Sequence, residues 1–169
     1  KVYQLFYEDY CMGDQNFRVN ILNFGMYLCK WMIKIAITGV AGMIGSHLSQ
    51  ILINKGYELV GIDNLKVGSK ENIKDIISNE KFKFFSFDIR DKALLKKNIQ
   101  DCDIIVHLAA IKKVVESQSS FETLDVNVRT TQNILEIANE IGAKVVFAST
   151  SDVYGISETI PFKEDQDLI

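Results

Sequence analysis

The chain has 169 residues, of which 47% are hydrophobic, and its formal net charge at pH 7 is −3. A chain of this length can bury one hydrophobic core, so we expect a single domain. The charge balance offers no basic surface for nucleic acid, and no segment reaches the ~18 consecutive apolar residues of a membrane span. We therefore expect neither nucleic acid nor a membrane as a partner.

The first residues differ from the rest of the chain. Residues 1–31 are rich in Tyr, Phe, Asn and Asp and show no regular hydrophobic period. We interpret them as an N-terminal extension of unknown role outside the native domain, and we expect the domain to span residues 32–169. The apolar run at residues 24–28 is too short for a secretory signal.

Cysteine and histidine are too few and too scattered to predict a metal site. Cys11, Cys29 and Cys102 show neither metal-ligand spacing nor an even disulfide count, which favours reduced thiols and a cytoplasmic location. His47 and His107 each lie inside an apolar segment, where a hydrogen-bonded packing histidine is the simpler interpretation. We expect no metal.

An apolar strand at residues 33–38 leads into three glycines and then into a helix. Gly39 suits a tight turn after the strand, Gly42 permits close approach of the backbone to a pyrophosphate, and Gly45 permits close packing of helix against strand. The helix begins near Gly42, so the backbone N–H groups around Met43 and Ile44 and the positive end of the helix dipole face the anion. The pattern predicts a phosphate-binding turn.

The following residues complete a strand–helix–strand unit. Ile44, Leu48, Ile51 and Leu52 follow helical spacing, and Gly56 is expected to end the helix. A second strand at residues 58–62 places Asp63 at its end. A carboxylate at this distance from the first glycine accepts a hydrogen bond from the 2′-hydroxyl of NAD and repels the 2′-phosphate of NADP. We therefore expect NAD as the cofactor.

Strands and helices continue to alternate to the end of the chain. We predict a helix at residues 70–78, a strand at 82–87, a helix capped by Asp91 and ending near Ile99, a strand at 103–108, a long helix at 121–141 stopped by Gly142, and a strand at 144–149. The long helix is expected to place one stripe of residues toward the core: Leu124, Val128, Thr131, Leu135 and Ala138.

This alternation predicts an α/β fold with a doubly wound, Rossmann-type parallel sheet. Ligands of such sheets collect beyond the carboxyl ends of the strands. The residues expected at those ends are Gly39, Asp63, Asp88, residues 108–112 and residues 149–154.

These residues resemble the extended short-chain dehydrogenase/reductase superfamily, in particular its sugar-nucleotide epimerases, dehydratases and decarboxylases. The resemblance runs from Met32 to the C-terminus. Residues 38–45 match the TGxxGxxG motif, Asp63-Asn64 the ribose acid, residues 88–91 the adenine-side acid motif, residues 107–110 the segment lining the cofactor, and Asn127 opens a run similar to NVxGTxN.

The resemblance implies further site residues. Contacts with NAD are implied for Asn64, Asp88, Ile89, Leu108, Ala109, Ala110, Lys112 and Asn127. Residues 111–117 look like the corresponding run of UDP-galactose 4-epimerases, in which the first lysine, here Lys112, contacts the cofactor. Residues 147–155 match the strand-five motif, whose catalytic hydroxyl belongs here to Thr150.

The chain departs from the family's pattern at three places. Ser151 and Asp152 stand where 4,6-dehydratases carry an Asp-Glu pair, and Thr130 replaces the glycine of NVxGTxN. The YxxxK pair of the family is missing, because Glu158 stands at the fourth position after Tyr154. We expect that pair beyond the last residue of this chain, so the domain is truncated on its C-terminal side, lacks the substrate-binding part and is inactive as a fragment.

The implied function is transient hydride transfer from a hydroxylated sugar carbon to NAD, with a nucleotide sugar as substrate. An epimerase is preferred over a decarboxylase or a 4,6-dehydratase, and a non-catalytic dinucleotide-binding regulatory module is the alternative from another class. The resemblance also implies a homodimer for the full-length protein.

Overall fold

The structure is a computed structural model that describes residues 33–111, 121–155 and 161–163. The predicted extension at residues 1–31 and the predicted site residue Lys112 lie outside the described residues. Within them, five strands form one sheet: β1 (Lys34–Thr38), β2 (Glu58–Asp63), β3 (Phe82–Ser86), β4 (Ile104–His107) and β5 (Lys144–Phe147).

All four strand pairings are parallel, and the order across the sheet is β3-β2-β1-β4-β5. The chain therefore reverses its direction of progress between β1 and β4, which is where ligands bind in open parallel sheets. β1, β2 and β4 are almost entirely buried, in keeping with their unbroken apolar runs. The predicted fold class is confirmed.

Helices occupy the connections between the strands. They are α1 (Met43–Asn54), α2 (Lys92–Ile99), α3 (Phe121–Leu124) and α4 (Thr130–Ile141), with a single π turn (Asp125–Arg129) joining α3 to α4 and 3₁₀ turns at Lys70–Ile73 and Ser151–Tyr154. The predicted helix ends are confirmed at three places. Gly56 and Gly142 have φ values of 91° and 72°, and the Asp91 carboxylate accepts a hydrogen bond from Leu94 N–H at 2.9 Å.

The predicted helix at residues 70–78 is wrong beyond Ile73. The segment forms a 3₁₀ turn followed by irregular turns. Two tertiary contacts explain the difference: the Asn72 side chain donates to the carbonyl of Ala41 at 2.8 Å, and Ile73 and Ile76 are buried. These contacts hold the backbone close to the glycine turn in a way that a regular helix would not allow.

The first helix is confirmed, but its apolar residues are not all buried. α1 buries Gly45, Ser46, Ser49, Leu52 and Ile53, whereas Ile44 and Ile51 are exposed. The first turns of the helix bury small residues because the helix begins directly against the turn at the end of β1, where a Cβ on Gly45 would lie 2.3 Å from the carbonyl oxygen of Gly39. The larger side chains Leu52 and Ile53 are buried farther along the helix.

The long helix lies where it was predicted, but its buried face differs. α4 buries Thr130, Ile134, Ile137 and Ala138, whereas Leu124, Val128 and Leu135 of the predicted stripe are more than half exposed. Leu135 lies on α4 itself, in the row of side chains next to the buried one. For Leu124 and Val128, which come before and within the π turn, that turn contributes to the change. It places more residues in one turn than an α-helix does, so the side chains before and after it no longer follow one 3.6-residue period.

Candidate functional site

A cleft opens at the carboxyl edge of the sheet, between the parallel strands β1 and β4, whose following connections lead to opposite halves of the sheet. Its lining comes from every strand end between β3 and β4 and from the start of the long helix. The lining residues are Gly39, Gly42, Ile62, Asp63, Asn64, Lys66, Val67, Gly68, Phe87, Asp88, Ile89, Leu108, Ala109, Ala110, Ile111, Glu122 and Val126.

The glycine turn forms the floor of this cleft. Gly39 has a φ of 74°, and a Cβ there would lie 2.9 Å from the backbone nitrogen of Ala109. A Cβ on Gly45 would lie 2.3 Å from the carbonyl oxygen of Gly39. Only glycine permits these two approaches, so Gly39 makes the turn and Gly45 lets α1 pack against it.

Gly42 holds the N-cap position of α1 and lines the cleft. The first N–H groups of a helix have no partner within the helix, and they carry the positive end of its dipole. Met43 and Ile44 begin the helix with side chains that are 73% and 60% exposed and that do not line the cleft. Any contact that these two residues make with an anion in the cleft is therefore made by their backbone.

Asp63 lies at the end of β2 and is 8% exposed. Its carboxylate accepts hydrogen bonds from Ala41 N–H at 3.0 Å and from Leu65 N–H at 2.8 Å. Each oxygen uses one lone pair in this way and keeps another for a further donor. Asp63 thus holds the glycine turn and the loop after β2 together while it faces the cleft.

The loop after β2 covers one side of the glycine turn. A Cβ on Gly68 would lie 2.9 Å from the carbonyl carbon of Ala41, and Ser69 N–H donates to the carbonyl oxygen of Ala41 at 3.1 Å. Leu65 has a φ of 59°, a conformation that costs a residue with a Cβ about 1–2 kcal/mol. The hydrogen bond to Asp63 supports that conformation.

Charged side chains surround the outer rim of the cleft. Arg90 binds both carboxylate oxygens of Asp88, through Nε at 3.0 Å and through NH2 at 2.6 Å. This guanidinium and a side-chain hydrogen bond from Asn64 lower the pKa of Asp88. Lys66 Nζ lies 2.8 Å from Glu122 Oε1, and this contact lowers the pKa of Glu122. Both carboxyl groups are therefore ionised at neutral pH.

A buried histidine directly precedes Leu108, the first residue of the cleft wall after β4. His107 is 2% exposed, and its two ring nitrogens lie 2.7 Å from Thr38 Oγ1 and 3.1 Å from Thr131 Oγ1. Burial lowers the pKa of His107 to about 4, so the ring is neutral at pH 7. The packing interpretation of His107 is confirmed. That of His47 is wrong, because His47 is exposed on α1 and bonds to the carbonyl of Met43.

The segment after β4 forms the wall that faces the glycine turn. Leu108 and Ala109 donate their backbone N–H groups to Thr38 Oγ1, both at 3.3 Å. Asn127 binds both backbone groups of Ile111: its Oδ1 accepts from the N–H at 2.8 Å and its Nδ2 donates to the carbonyl at 3.0 Å. Asn127 does not line the cleft but holds the loop that does.

Thr150 follows β5 and caps the last 3₁₀ turn. Its Oγ1 accepts a hydrogen bond from Asp152 N–H at 3.2 Å, so the hydroxyl proton remains available to another acceptor. The side chain is exposed and does not line the cleft described above. The structure therefore places the predicted catalytic hydroxyl beyond the strand ends, apart from most predicted cofactor residues.

Sequence reasoning did not name several lining residues. The loop after Asp63 contributes Lys66, Val67 and Gly68 to the lining. The glycine in this short polar loop is a sequence signal that could have indicated close backbone packing. Glu122 and Val126 come from the long helix, and nothing in their local sequence indicates that the helix starts at the cleft. Only the packing of α3 and the π turn places them there.

The described residues contain no group of three or more His, Cys, Asp or Glu side chains arranged to hold a metal ion. Within the same residues, no helix combines the length and the apolar character that crossing a membrane requires.

Comparisons with known proteins agree with this geometry. A family model described as GDP-mannose 4,6 dehydratase matches residues 36–169. UDP-glucuronic acid decarboxylase 1 of Arabidopsis thaliana is 38% identical over 133 residues, which is 78% of this chain and 29% of that protein.

Solved structures with the same fold include two enzymes of different activity. The UDP-Glc/GlcNAc 4-epimerase of Campylobacter jejuni superimposes with a TM-score of 0.73 at 35% identity, covering 81% of this chain and 43% of that one. The dTDP-glucose 4,6-dehydratase of Streptomyces venezuelae, solved with NAD and TYD bound, has a TM-score of 0.73 at 32% identity, covering 81% and 45%. The chain thus spans less than half the length of these three proteins.

Proposed function

The chain belongs to the GDP-mannose 4,6 dehydratase family, and from this membership we propose that it is the NAD-binding portion of an enzyme that modifies nucleotide sugars. The single observation that carries the proposal is the junction of the glycine turn, the start of α1 and the Asp63 carboxylate within one cleft. Similar proteins are named as epimerases, decarboxylases and dehydratases of nucleotide sugars.

The residues of the cleft fit NAD part by part. Gly42 and the N–H groups at the start of α1 would hold the pyrophosphate, and Asp63 would accept from the ribose hydroxyls with its remaining lone pairs. Ile89 and Phe87 offer apolar contact to the adenine, beside Asp88 and Asn64. Leu108, Ala109 and Ala110 continue the wall of the cleft, and the sequence resemblance implies that Lys112 also contacts the cofactor.

When bound, NAD supplies a reversible hydride acceptor for a hydroxylated sugar carbon. Thr150 would hydrogen-bond to the oxygen on that carbon and help to relay the proton that this oxygen loses as the hydride leaves, while its own oxygen accepts from Asp152 N–H. The neutral His107 does not take part in proton transfer, because both of its ring nitrogens are engaged by Thr38 and Thr131. Its role is to hold Thr38, whose hydroxyl fixes the start of the cleft wall at Leu108 and Ala109.

A decarboxylase is the second candidate reaction within the family, beside the epimerase that the sequence favours. The observation that favours it is the 38% identity to a UDP-glucuronic acid decarboxylase. The two are separated by supplying UDP-glucose and UDP-glucuronic acid to the longest polypeptide that the coding sequence specifies. Release of CO₂ identifies the decarboxylase, interconversion of the two 4-epimers identifies the epimerase, and NAD binding without either reaction identifies a regulatory module.

Two further properties belong to the proposal. A homodimer is supported by the exposed apolar side chains along α3, the π turn and α4, namely Phe121, Leu124, Val128 and Leu135. A cytoplasmic location is supported by the number and spacing of the cysteines in the sequence.

Cofactor binding is tested by calorimetric titration of the full chain with NAD. Gly42→Ala is the informative variant, because its φ of −77° suits alanine and its Cβ would meet only Gly39 O, at 3.2 Å. We expect the variant to keep its circular dichroism spectrum and to bind NAD about tenfold or more weakly, since the methyl group occupies the path of the pyrophosphate.

Gly142→Ala is the matched control, because Gly142 lies at the end of α4 with nothing within 4 Å of its Cβ position. It should lose stability through its positive φ but bind NAD like the wild type. A wild-type chain that gives no binding signal with NAD would overturn the proposal, and so would equal NAD affinities of Gly42→Ala and the wild type.

A further inference from the structure

Two cations stand at the rim of the cleft on the side of Asp63. Lys66 lies three residues after Asp63 and lines the cleft, and Arg90 binds Asp88, which also lines it. Asn64, next to Asp63, hydrogen-bonds to the Asp88 side chain. In dinucleotide-binding folds, a cation near the ribose acid accommodates the 2′-phosphate of NADP. If these two cations alone decided the selectivity, this rim would therefore tolerate NADP.

Glu122 connects both cations. Its Oε1 lies 2.8 Å from Lys66 Nζ and 3.8 Å from Arg90 NH1. The Nε and NH2 groups at another edge of the Arg90 guanidinium donate to the two oxygens of the Asp88 carboxylate. Lys66 and Arg90 are therefore each matched by a carboxylate.

We propose that Glu122 is a cofactor-specificity residue, which holds the cations of Lys66 and Arg90 away from the ribose 2′ position and so disfavours NADP. This inference rests on the proposed binding of NAD in the cleft. It assigns to a residue of the long helix a part of the selectivity that the sequence attributes to Asp63.

A purely structural role does not explain the Lys66–Glu122 pair. The two side chains are 63% and 39% exposed, and ion pairs with such exposure contribute little to folding stability. Lys66 and Arg90 both lower the pKa of Glu122, with Lys66 the main cause, so its negative charge persists through the neutral range. The pair instead changes the electrostatic potential at the rim, where we propose that the 2′-phosphate of NADP would lie.

The test compares Glu122→Gln with Glu140→Gln in calorimetric titrations of the full chain with NAD and NADP. Glu140 pairs with Lys96 at nearly equal exposure, 47% and 48%, and neither residue lines the cleft. The two variants change the net charge equally. One pair of unit charges at contact in water corresponds to about fivefold in affinity, so Glu122→Gln should bind NADP about five- to tenfold more tightly.

Glu140→Gln should change neither affinity by more than about twofold. Adding Lys66→Gln to Glu122→Gln should remove most of the gain for NADP. Raising the salt concentration should also reduce that gain, because the rim is exposed.

Three results would overturn the inference: an unchanged ratio of NADP to NAD affinity in Glu122→Gln, an equal change in both single variants, or a gain that survives the loss of Lys66. If the wild-type chain binds no NAD at all, the proposed function itself fails, and that outcome is distinct from the three.

Discussion

At the scale of single residues, Asp63 shows how one side chain can serve both the fold and the ligand. Its position at the end of a strand predicted a contact with the ribose, but its hydrogen bonds to Ala41 and Leu65 became visible only in the structure. These bonds join the glycine turn to the next loop. A substitution at Asp63 should therefore affect stability and cofactor selectivity together.

Asp63→Ala is expected to weaken NAD far more than NADP, because the 2′-hydroxyl loses its acceptor while the 2′-phosphate loses a repulsive neighbour. It should also lower the free energy of unfolding by about 1–3 kcal/mol, since a buried N–H group loses its partner. Fluorescence titration with the two reduced dinucleotides and urea unfolding measure the two effects.

Asp63→Asn is the control, because the amide keeps one acceptor oxygen but removes the charge. It should recover part of the stability and none of the preference for NAD. An equal loss of NAD and NADP affinity in Asp63→Ala would disprove the contact with the ribose. Unchanged unfolding would disprove the structural role.

At the scale of secondary-structure elements, His107 ties together three of them. It lies at the end of β4 and bonds to Thr38 of β1 and to Thr131 of α4. The Thr38 hydroxyl in turn accepts hydrogen bonds from the two backbone N–H groups that follow β4. The Thr38 side chain therefore fixes the wall of the cleft to the sheet. The arrangement requires an uncharged ring, because no carboxylate is among the ring's hydrogen-bond partners.

This requirement predicts a stability loss in acid. The pKa of His107 is about 4 in the folded chain, whereas an unfolded histidine has a pKa of about 6.5, so between these values only the unfolded state takes up the proton. The free energy of unfolding should therefore fall as the pH falls from about 6.5 to 4, by about 3 kcal/mol in total for this group.

Urea unfolding at a series of pH values measures that fall. His107→Asn should remove this contribution to the pH dependence, whatever its own stability at pH 7. His47→Asn, which changes an exposed histidine on α1, should retain it. The same pH dependence in His107→Asn as in the wild type would contradict the assignment.

At the scale of the whole molecule, the described residues expose a row of apolar side chains along the long helix. Along the described part of the long helix, Phe121 is 91% exposed and Leu124, Val128 and Leu135 are between 52% and 60% exposed. Exposed apolar residues grouped in this way are typical of contact surfaces between proteins. A second copy of the chain is the partner that we propose for this surface.

In the full-length protein, Val128→Glu together with Leu135→Glu should convert the proposed dimer into a monomer, because each carboxylate would be buried without a partner in the interface. Sedimentation velocity measures the change. Ile77→Glu is the control, since Ile77 is a partly exposed apolar residue outside this helix. A monomeric wild type, or equal disruption by the control, would contradict the dimer.

Much of this architecture was predictable from local sequence. The unbroken apolar runs predicted the buried strands, Asp91, Gly56 and Gly142 predicted the helix ends, and the spacing of the glycines predicted the turn that forms the floor of the cleft. Each of these features depends on the backbone preferences of one or a few neighbouring residues, or on burial of a strand on both faces.

Other features depend on which distant segments meet, and the order of residues along the chain carries no direct signal for that. Packing between elements decides four such features. They are the small residues on the inner face of α1, the π turn within the long helix, the hydrogen bonds that Asp63 accepts from backbone N–H groups, and the placement of Glu122 beside Lys66 and Arg90. Neighbouring residues shape each segment, whereas the contacts between segments set which side chains share the cleft.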